Sequence, residues 1–129
     1  MEGYEVTNIH EDAAKILVDR IRKKHKNAVI FYSDLCHLLG DAVGYRQISD
    51  YIGDISFWCC EIGAPMLSAL VVNKETSIPG KGFFTFYAEL YDKGCIKEEK
   101  KFKVWMDEYN KVINYKDWDK LLEYMGISV

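Results

Sequence analysis

The sequence lacks the residue spacings that protein metal sites use. Its four cysteines include no Cys-x-x-Cys pair, and its three histidines form no His-x-x-x-His or Glu-x-x-His arrangement with a cysteine nearby. The neighbours Cys59 and Cys60 are adjacent, which suits neither a disulfide nor two ligands of a tetrahedral zinc ion. We therefore expect reduced thiols, no metal site and no cofactor.

Long apolar runs and an excess of one charge are also missing. No apolar run approaches the length of a membrane span, and the start MEGYEVTN has neither the basic residues nor the apolar core of a signal peptide. The formal net charge is −3 with both signs interspersed, so no global field draws the chain to nucleic acid or to an anionic membrane. We expect a cytoplasmic protein without a membrane partner.

Apolar and aromatic residues, by contrast, are plentiful. The 129 residues are 49% hydrophobic and include 3 Trp, 9 Tyr and 6 Phe, which is enough to bury a sizeable core. We expect one domain over residues 1–129. The aromatic surplus leaves a homodimer open as well.

The first third of the chain predicts a helix, a strand and a short helix. Apolar residues at helical spacing indicate a helix over about 9–25, with Asn8 and Glu11 as its capping pair. The apolar segment 28–31 predicts a strand. Ser33 is then the expected cap of a two-turn helix that Gly40 closes.

The rest of the chain predicts a long helix, a strand, a loop and three more helices. Apolar residues at helical spacing run from Ile48 to Ile62, before a glycine and Pro65. The following segments are a strand at 67–72, a loop at 73–82, and helices at 83–93, 102–113 and 118–125. Within 83–93 the residues Phe84, Phe86, Ala88 and Leu90 also alternate as in a strand, so a strand stays open there. Asn114 is the expected cap of the last helix.

This order is typical of a winged helix-turn-helix. We therefore predict a mainly helical α+β chain, with a winged-helix-like core over 9–82 and C-terminal helices over 83–129. In this arrangement the helix that begins near Tyr45 is presented to a partner, and the loop 73–82 is the wing.

The charges of the presented helix argue against DNA, which remains the alternative partner. Between Asn27 and Val72 the only basic residue is Arg46, and this balance would repel a phosphate backbone. The acidic residues of that stretch are Asp34, Asp41, Asp50, Asp54 and Glu61. A DNA-binding regulator would instead use Tyr45, Arg46, Gln47, Ser49, Lys74, Lys81 and the basic run 22–26.

The motifs YSDLCHLLG, YRQISDYIGDI, GAPMLSALVVNKETSIPGKGFF and FKVWMDEYNKV, over about 32–113, resemble a group of small prokaryotic and phage-borne proteins. That resemblance implies no established activity. The helix-helix-strand order also looks like the DNA-binding half of alkyltransferase-like proteins. Their Pro-Cys-His-Arg motif would fall near residues 72–75, where this chain has VNKE, so alkyl transfer is not supported.

Other catalytic patterns are weak. Cys59 and Cys60 lie on a predicted apolar face and are better explained as packing residues. His37 is one helical turn from Asp34, without a matching nucleophile. PGKG lacks the spacing of a phosphate loop. The carboxylates of Glu98, Glu99, Asp107 and Glu108 are predicted to be solvated.

The sequence thus favours a non-catalytic module that docks on a protein, acting in bacterial defence or counter-defence, for example as an anti-CRISPR-type inhibitor. The predicted contact residues are Tyr45, Arg46, Asn73, Lys74, Glu75, Thr76, Ser77, Ile78, Pro79 and Lys81. Exposed Ile78 and Tyr45 are the expected anchors. Three alternatives stay open: a wing that is only a rigid turn, a DNA-binding regulator, and an enzyme of unknown reaction.

Overall fold

The computed structural model describes residues 5–127, most of which are helical. Its α-helices are α1 (Asn8–Lys24), α2 (Tyr32–Leu38), α3 (Tyr45–Glu61), α4 (Lys81–Leu90), α5 (Lys101–Asn114) and α6 (Trp118–Tyr124). Two short strands, β1 (Ile30–Phe31) and β2 (Val71–Val72), pair in parallel. The prediction of a mainly helical α+β chain is confirmed, while the predicted end points 1 and 129 lie outside the described residues.

The first helix begins at a different cap from the one predicted. The hydroxyl of Thr7 accepts a hydrogen bond from the His10 N–H at 3.4 Å, and the Thr7 N–H donates to Nδ1 of His10 at 2.9 Å. This reciprocal pair satisfies two amides at the helix start. Asn8 is the first residue inside α1, so the predicted Asn8–Glu11 cap is wrong by one position.

The strand and helix that follow are joined without a gap. β1 is only two residues long, and α2 begins at once on the buried Tyr32. Ser33 therefore lies inside α2, and its predicted capping role is wrong. Gly40 has a φ of 72° and donates its N–H to the His37 carbonyl at 3.0 Å, which confirms that this glycine closes the helix.

Most of the predicted strand at 67–72 is a 3₁₀-helix, Leu67–Leu70, and only its last two residues form β2. Side chains of other helices form hydrogen bonds with the backbone of this segment. The Ser68 N–H donates to Oγ of Ser56 at 3.1 Å, and Nε1 of Trp105 donates to the Ala69 carbonyl at 2.7 Å. Because these partners replace those of a sheet, the backbone need not be extended.

The C-terminal helices belong to the same hydrophobic cluster as α1 and α3. The Tyr109 hydroxyl donates to the Lys26 carbonyl at 2.7 Å and accepts from the Ala28 N–H at 3.1 Å. α5 is thereby attached to the segment after α1. Asn114 is the last residue of α5, and Asp117 precedes α6, so the predicted Asn114 cap is wrong.

The winged helix stays a prediction. The order helix, strand, helix, helix, strand is present, and the helix predicted at 83–93 corresponds to α4. However, β1 and β2 are parallel neighbours, and residues 73–80 lead into α4 rather than into a return strand. Within residues 5–127, no helix combines the length and the apolar character that crossing a membrane requires.

Candidate functional site

Residues 73–80, here called the Asn73 turn, form an ordered loop between β2 and α4. The Asn73 N–H donates to the Ile78 carbonyl at 2.9 Å, and the Ser77 N–H donates to the Asn73 carbonyl at 2.8 Å. Ser77 has a φ of 63°, a conformation that such tight turns require. The loop predicted as a wing therefore has its own backbone hydrogen bonds.

Two tyrosines attach this turn to the helices beside it. The Tyr45 hydroxyl, at the start of α3, donates to Oδ1 of Asn73 at 2.5 Å. The Gly80 N–H donates to the Tyr32 hydroxyl at 2.9 Å, and the two tyrosine rings lie 5.5 Å apart. Burial raises the pKa of Tyr32, so this hydroxyl stays protonated at neutral pH. The turn, α2 and α3 form one connected surface.

Most, but not all, of the predicted contact residues are exposed on this surface. Tyr45 is 51% exposed. The other exposed members are Arg46, Lys74, Glu75, Thr76, Ser77 and Lys81. Asn73 and Ile78 are half-buried and Pro79 is buried. Ile78 is therefore not exposed as predicted, because it packs against the core, and Pro79 is largely covered by the rest of the chain.

A cleft of about 770 Å³ opens beside the turn, between α3 and α4. We call it the acidic cleft, because its walls carry three carboxylates and one ammonium group. Its charged residues are Asp50, Asp54, Glu89 and Lys81, and its aromatic residues are Tyr32, Phe57, Phe83 and Phe86. This cleft was not predicted from the sequence. The pattern that could have indicated it is the four-residue spacing of Asp50 and Asp54, with Gly53 between them, which places both carboxylates on one side of a helix.

A buried histidine holds one of the cleft carboxylates in place. His10 is 3% exposed, and its Nε2 lies 2.8 Å from Oδ2 of Asp54. Because Nδ1 accepts the Thr7 N–H, the proton lies on Nε2 and is donated to Asp54. The rings of Tyr51 and Trp58 each lie 4.8 Å from the imidazole. Both ring nitrogens are occupied, so this histidine is poorly suited to act as a general base.

Cys59 and Cys60 show no sign of nucleophilic activation. Burial raises the pKa of Cys59 to about 12, as expected for a neutral thiol in a core. The pKa of half-buried Cys60 is also raised, first by burial and then by the carboxylates of Glu108 and Glu61. The packing interpretation of Cys59 is confirmed by its complete burial.

One other sequence prediction needs correction. His37 makes an exposed contact with the Asp41 carboxylate at 3.5 Å, whereas the carboxylate of Glu108 differs from what was predicted. Glu108, predicted as solvated, is fully buried. Its carboxylate accepts the Met66 N–H at 2.7 Å and the Tyr91 hydroxyl at 2.9 Å. Glu98, Glu99 and Asp107 are exposed as predicted.

The pKa of Tyr91 is raised, first by burial and then by the Glu108 carboxylate. The hydroxyl therefore remains a donor to Glu108 at neutral pH. This pairing supplies a buried carboxylate with hydrogen bonds, which burial of a charge requires. We assign Glu108 a structural role.

Comparison with known proteins returns no relative. No protein-family model matches the chain, and neither a curated protein nor a solved structure is significantly similar to it. Within residues 5–127, no three His, Cys, Asp or Glu side chains are grouped so that they could hold a metal ion. The candidate site is therefore defined by geometry: the exposed residues around Tyr45 and the Asn73 turn, with the acidic cleft beside them.

Proposed function

We propose that this protein is a non-catalytic module that docks on another protein through the start of α3 and the Asn73 turn, here called the docking face. One observation carries the proposal. Exposed residues of two separate elements are held in a single arrangement by the Tyr45–Asn73 and Tyr32–Gly80 hydrogen bonds. A surface that is already ordered loses less conformational entropy when it binds.

The residue types on the docking face also support protein binding. Tyrosine and arginine are enriched among the residues that dominate interface energies, and Tyr45 and Arg46 stand side by side in the first turn of α3. Both are exposed. Lys74 and Glu75 add charges of both signs, which favours a mixed-charge protein surface over a uniformly charged polymer.

The setting of this function is a further part of the proposal. A winged-helix framework is supported by the order of helices and strands, and a cytoplasmic location by the cysteine pattern. Action in the conflict between phage and host, with anti-CRISPR-type inhibition as one form, is supported by the sequence resemblance alone.

A DNA-binding regulator is the second candidate. Two cations favour it. Arg46 follows Tyr45 in sequence and Lys74 follows Asn73, so both flank the Tyr45–Asn73 contact. Against it, Arg46 is the only cation on α3, which also carries Asp50, Asp54 and Glu61. A helix with this charge balance is repelled by the phosphates that supply most nucleic-acid affinity.

The proposal is tested by affinity capture from a lysate of the bacterial host, with and without nuclease, using wild-type protein and a Tyr45→Ala plus Arg46→Ala variant. We expect one stoichiometric protein that survives nuclease and is lost with the variant. Ile78→Ala is not used, because Ile78 packs against the core and its truncation would also destabilise the fold.

The matched control is Glu123→Gln, an exposed residue of α6, which should retain the captured protein. Capture that is equal for wild type and the double variant would contradict the docking face. Retention of nucleic acid, with every protein lost after nuclease, would favour the regulator. Binding of a labelled duplex should then weaken steeply with salt, and less steeply for a Lys74→Ala plus Lys81→Ala variant.

A further inference from the structure

We propose that the acidic cleft receives an arginine side chain of the docked protein. This inference rests on the proposed docking function and names the chemistry of its partner. The cleft is an anchor pocket that continues the docking face.

Charge complementarity is the first argument. Asp50 and Asp54 line the α3 wall, and Glu89 lines the α4 wall, so carboxylates approach the cleft from two sides. Lys81 is the single ammonium group among the lining residues. Neither Asp50 nor Glu89 belongs to any ion pair within the described part of the chain. A cationic group therefore finds two carboxylates that are not engaged in an ion pair, and Lys81 is the one cation of the cleft lining with which it competes.

The aromatic lining selects a guanidinium group. Phe57 and Phe86 are half-buried in the walls, so their rings are partly accessible from the cleft. A planar guanidinium stacks on aromatic rings while its N–H groups bind a carboxylate in pairs. A lysine ammonium is a more strongly hydrated point charge without the planar stacking surface. An arginine side chain can therefore contact both the carboxylates and the aromatic rings of the cleft.

One carboxylate is already fixed in position. The side chain of Asp54 is 23% exposed, and the His10 hydrogen bond holds its Oδ2. That bond leaves the remaining acceptor sites of the carboxylate for a ligand. His10 is thus a positioning residue, which acts through Asp54 and lies behind the cleft wall.

The dimensions fit a side chain with its flanking backbone. Gly53 and Gly82 line the cleft, and a Cβ added to either would meet no heavy atom within 4 Å. The space of about 770 Å³ is large enough for a short peptide segment.

The position of the cleft favours a protein's arginine over a free polyamine. Tyr32 and Gly80 line the cleft and also anchor the Asn73 turn. A protein seated on the docking face therefore lies beside the opening of the cleft. Its side chain would enter without a separate binding event, and the linked contacts would reinforce each other.

The first test is a titration of the ¹⁵N-labelled full chain with N-acetylarginine methylamide, followed by NMR. We expect shifts of the amide signals of Gly53, Asp54 and Gly82. The matched probe is N-acetylcitrulline methylamide, which has nearly the same shape without the charge and should leave those signals unmoved. The proposal would be overturned if both probes shifted these signals equally, or if the arginine probe shifted only amide signals of other parts of the chain.

Two variants test the contributions of charge and space. Asp50→Asn plus Glu89→Gln should weaken arginine binding by about tenfold or more, because it removes two charge-assisted contacts. Gly53→Leu should block the cleft without changing its charge. Glu123→Gln is the control and should bind as wild type. Circular dichroism and the thermal midpoint establish that each variant is folded, and unchanged affinity in both folded cleft variants would overturn the inference.

Spermidine distinguishes a free polycation from a protein side chain. Saturation of the cleft by spermidine at lower concentrations than those needed for an arginine-containing peptide would assign the cleft to a small polyamine and overturn the inference. The captured partner separates the two proposals. If it binds the Asp50→Asn plus Glu89→Gln variant as tightly as wild type, yet is lost with Tyr45→Ala plus Arg46→Ala, the arginine inference fails and the docking function stands.

Discussion

At the scale of single residues, Glu108 shows how a buried charge joins distant parts of the chain. It lies on α5, and it accepts hydrogen bonds from the Met66 amide before the 3₁₀-helix and from the Tyr91 hydroxyl after α4. Lys111 approaches the same carboxylate to 3.8 Å from an exposed position. The hydrogen bonds offset the cost of removing the carboxylate from water.

Truncating this residue should therefore be costly. Glu108→Ala leaves a buried amide and a hydroxyl without their acceptor, and we expect the free energy of unfolding to fall by about 3 kcal/mol. Glu108→Gln keeps an acceptor oxygen and should cost about 1–2 kcal/mol. Urea unfolding measures both. The exposed neighbour Asp107→Asn should change stability by less than about 1 kcal/mol, and a loss as large as that of Glu108→Ala there would contradict the assignment.

Cys59 predicts how stability depends on alkaline pH. Its pKa rises on folding from 9.0 to about 12, so the folded state holds the thiol proton more tightly than the unfolded state. The resulting stabilisation is complete below pH 9.0 and is lost as the pH rises towards 12. The pKa of Tyr91 is also raised in the folded state, so ionisation of this hydroxyl lowers the stability of the fold further at higher pH.

We therefore expect urea midpoints to fall progressively above pH 9.0, with a shallower fall for Cys59→Ala. The absolute stability of Cys59→Ala will be lower because of the cavity it creates, so the comparison concerns the slope with pH. An identical slope in wild type and variant would contradict the assigned role of the thiol. Cys95→Ala, at an exposed thiol, is the control.

At the scale of secondary-structure elements, the start of α1 depends on Thr7 rather than on Asn8. Thr7→Ala should lower the free energy of unfolding by about 1 kcal/mol, because it removes the acceptor for the His10 amide. Asn8→Ala, one position inside the helix, should cost less than about 0.5 kcal/mol. Thermal or urea unfolding of the two variants decides between the caps, and the reverse order of effects would contradict the structure.

The middle of α3 contains a glycine that the fold does not require. A Cβ at Gly53 would meet no heavy atom within 4 Å, and alanine is the better helix former by about 1 kcal/mol. Gly53→Ala should raise the urea midpoint accordingly. Gly40→Ala is the opposite case, because Gly40 has a φ of 72° and alanine there should lower the midpoint. A loss of stability in Gly53→Ala would indicate that α3 packs more closely at this point.

Local patterns predicted the helices well because the periodicity of a helix depends only on residues of one contiguous segment. α1, α3, α5 and α6 were found to within a few residues of their predicted bounds. The 3₁₀-helix at Leu67–Leu70 was not predictable in this way. Its conformation depends on Ser56 and Trp105, which are close only after folding, whereas its apolar sequence equally suits a buried strand.

At the scale of the whole molecule, the candidate site is assembled from remote segments. The contact between Tyr45 and Asn73 spans 28 positions, and that between His10 and Asp54 spans 44. The sequence indicated Tyr45 and the turn as one surface through the assumed winged-helix order. It did not indicate the acidic cleft, because Asp50, Glu89 and Phe57 come together only through the packing of α3 against α4.

The hydrogen bond between Tyr45 and Asn73 should matter more for partner binding than for stability. Tyr45→Phe keeps the ring but removes the hydrogen bond to Asn73. Because Tyr45 is 51% exposed, we expect a small change in stability, about 1 kcal/mol or less. Partner affinity should fall further than this, since the turn would no longer be held in the binding arrangement. Calorimetry with the captured partner measures both effects, and unchanged affinity would show that the turn needs no such support.

Site-specific photo-crosslinking tests the docking function most directly. A benzophenone side chain replaces Glu75 on the Asn73 turn or, as a control, Lys116 between α5 and α6, both of which are exposed. In a nuclease-treated lysate of the proposed bacterial host we predict one crosslinked protein from position 75, suppressed by excess wild type but not by the Tyr45→Ala plus Arg46→Ala variant, and none from position 116. No protein adduct at position 75, or the same adducts from both positions, would contradict the account.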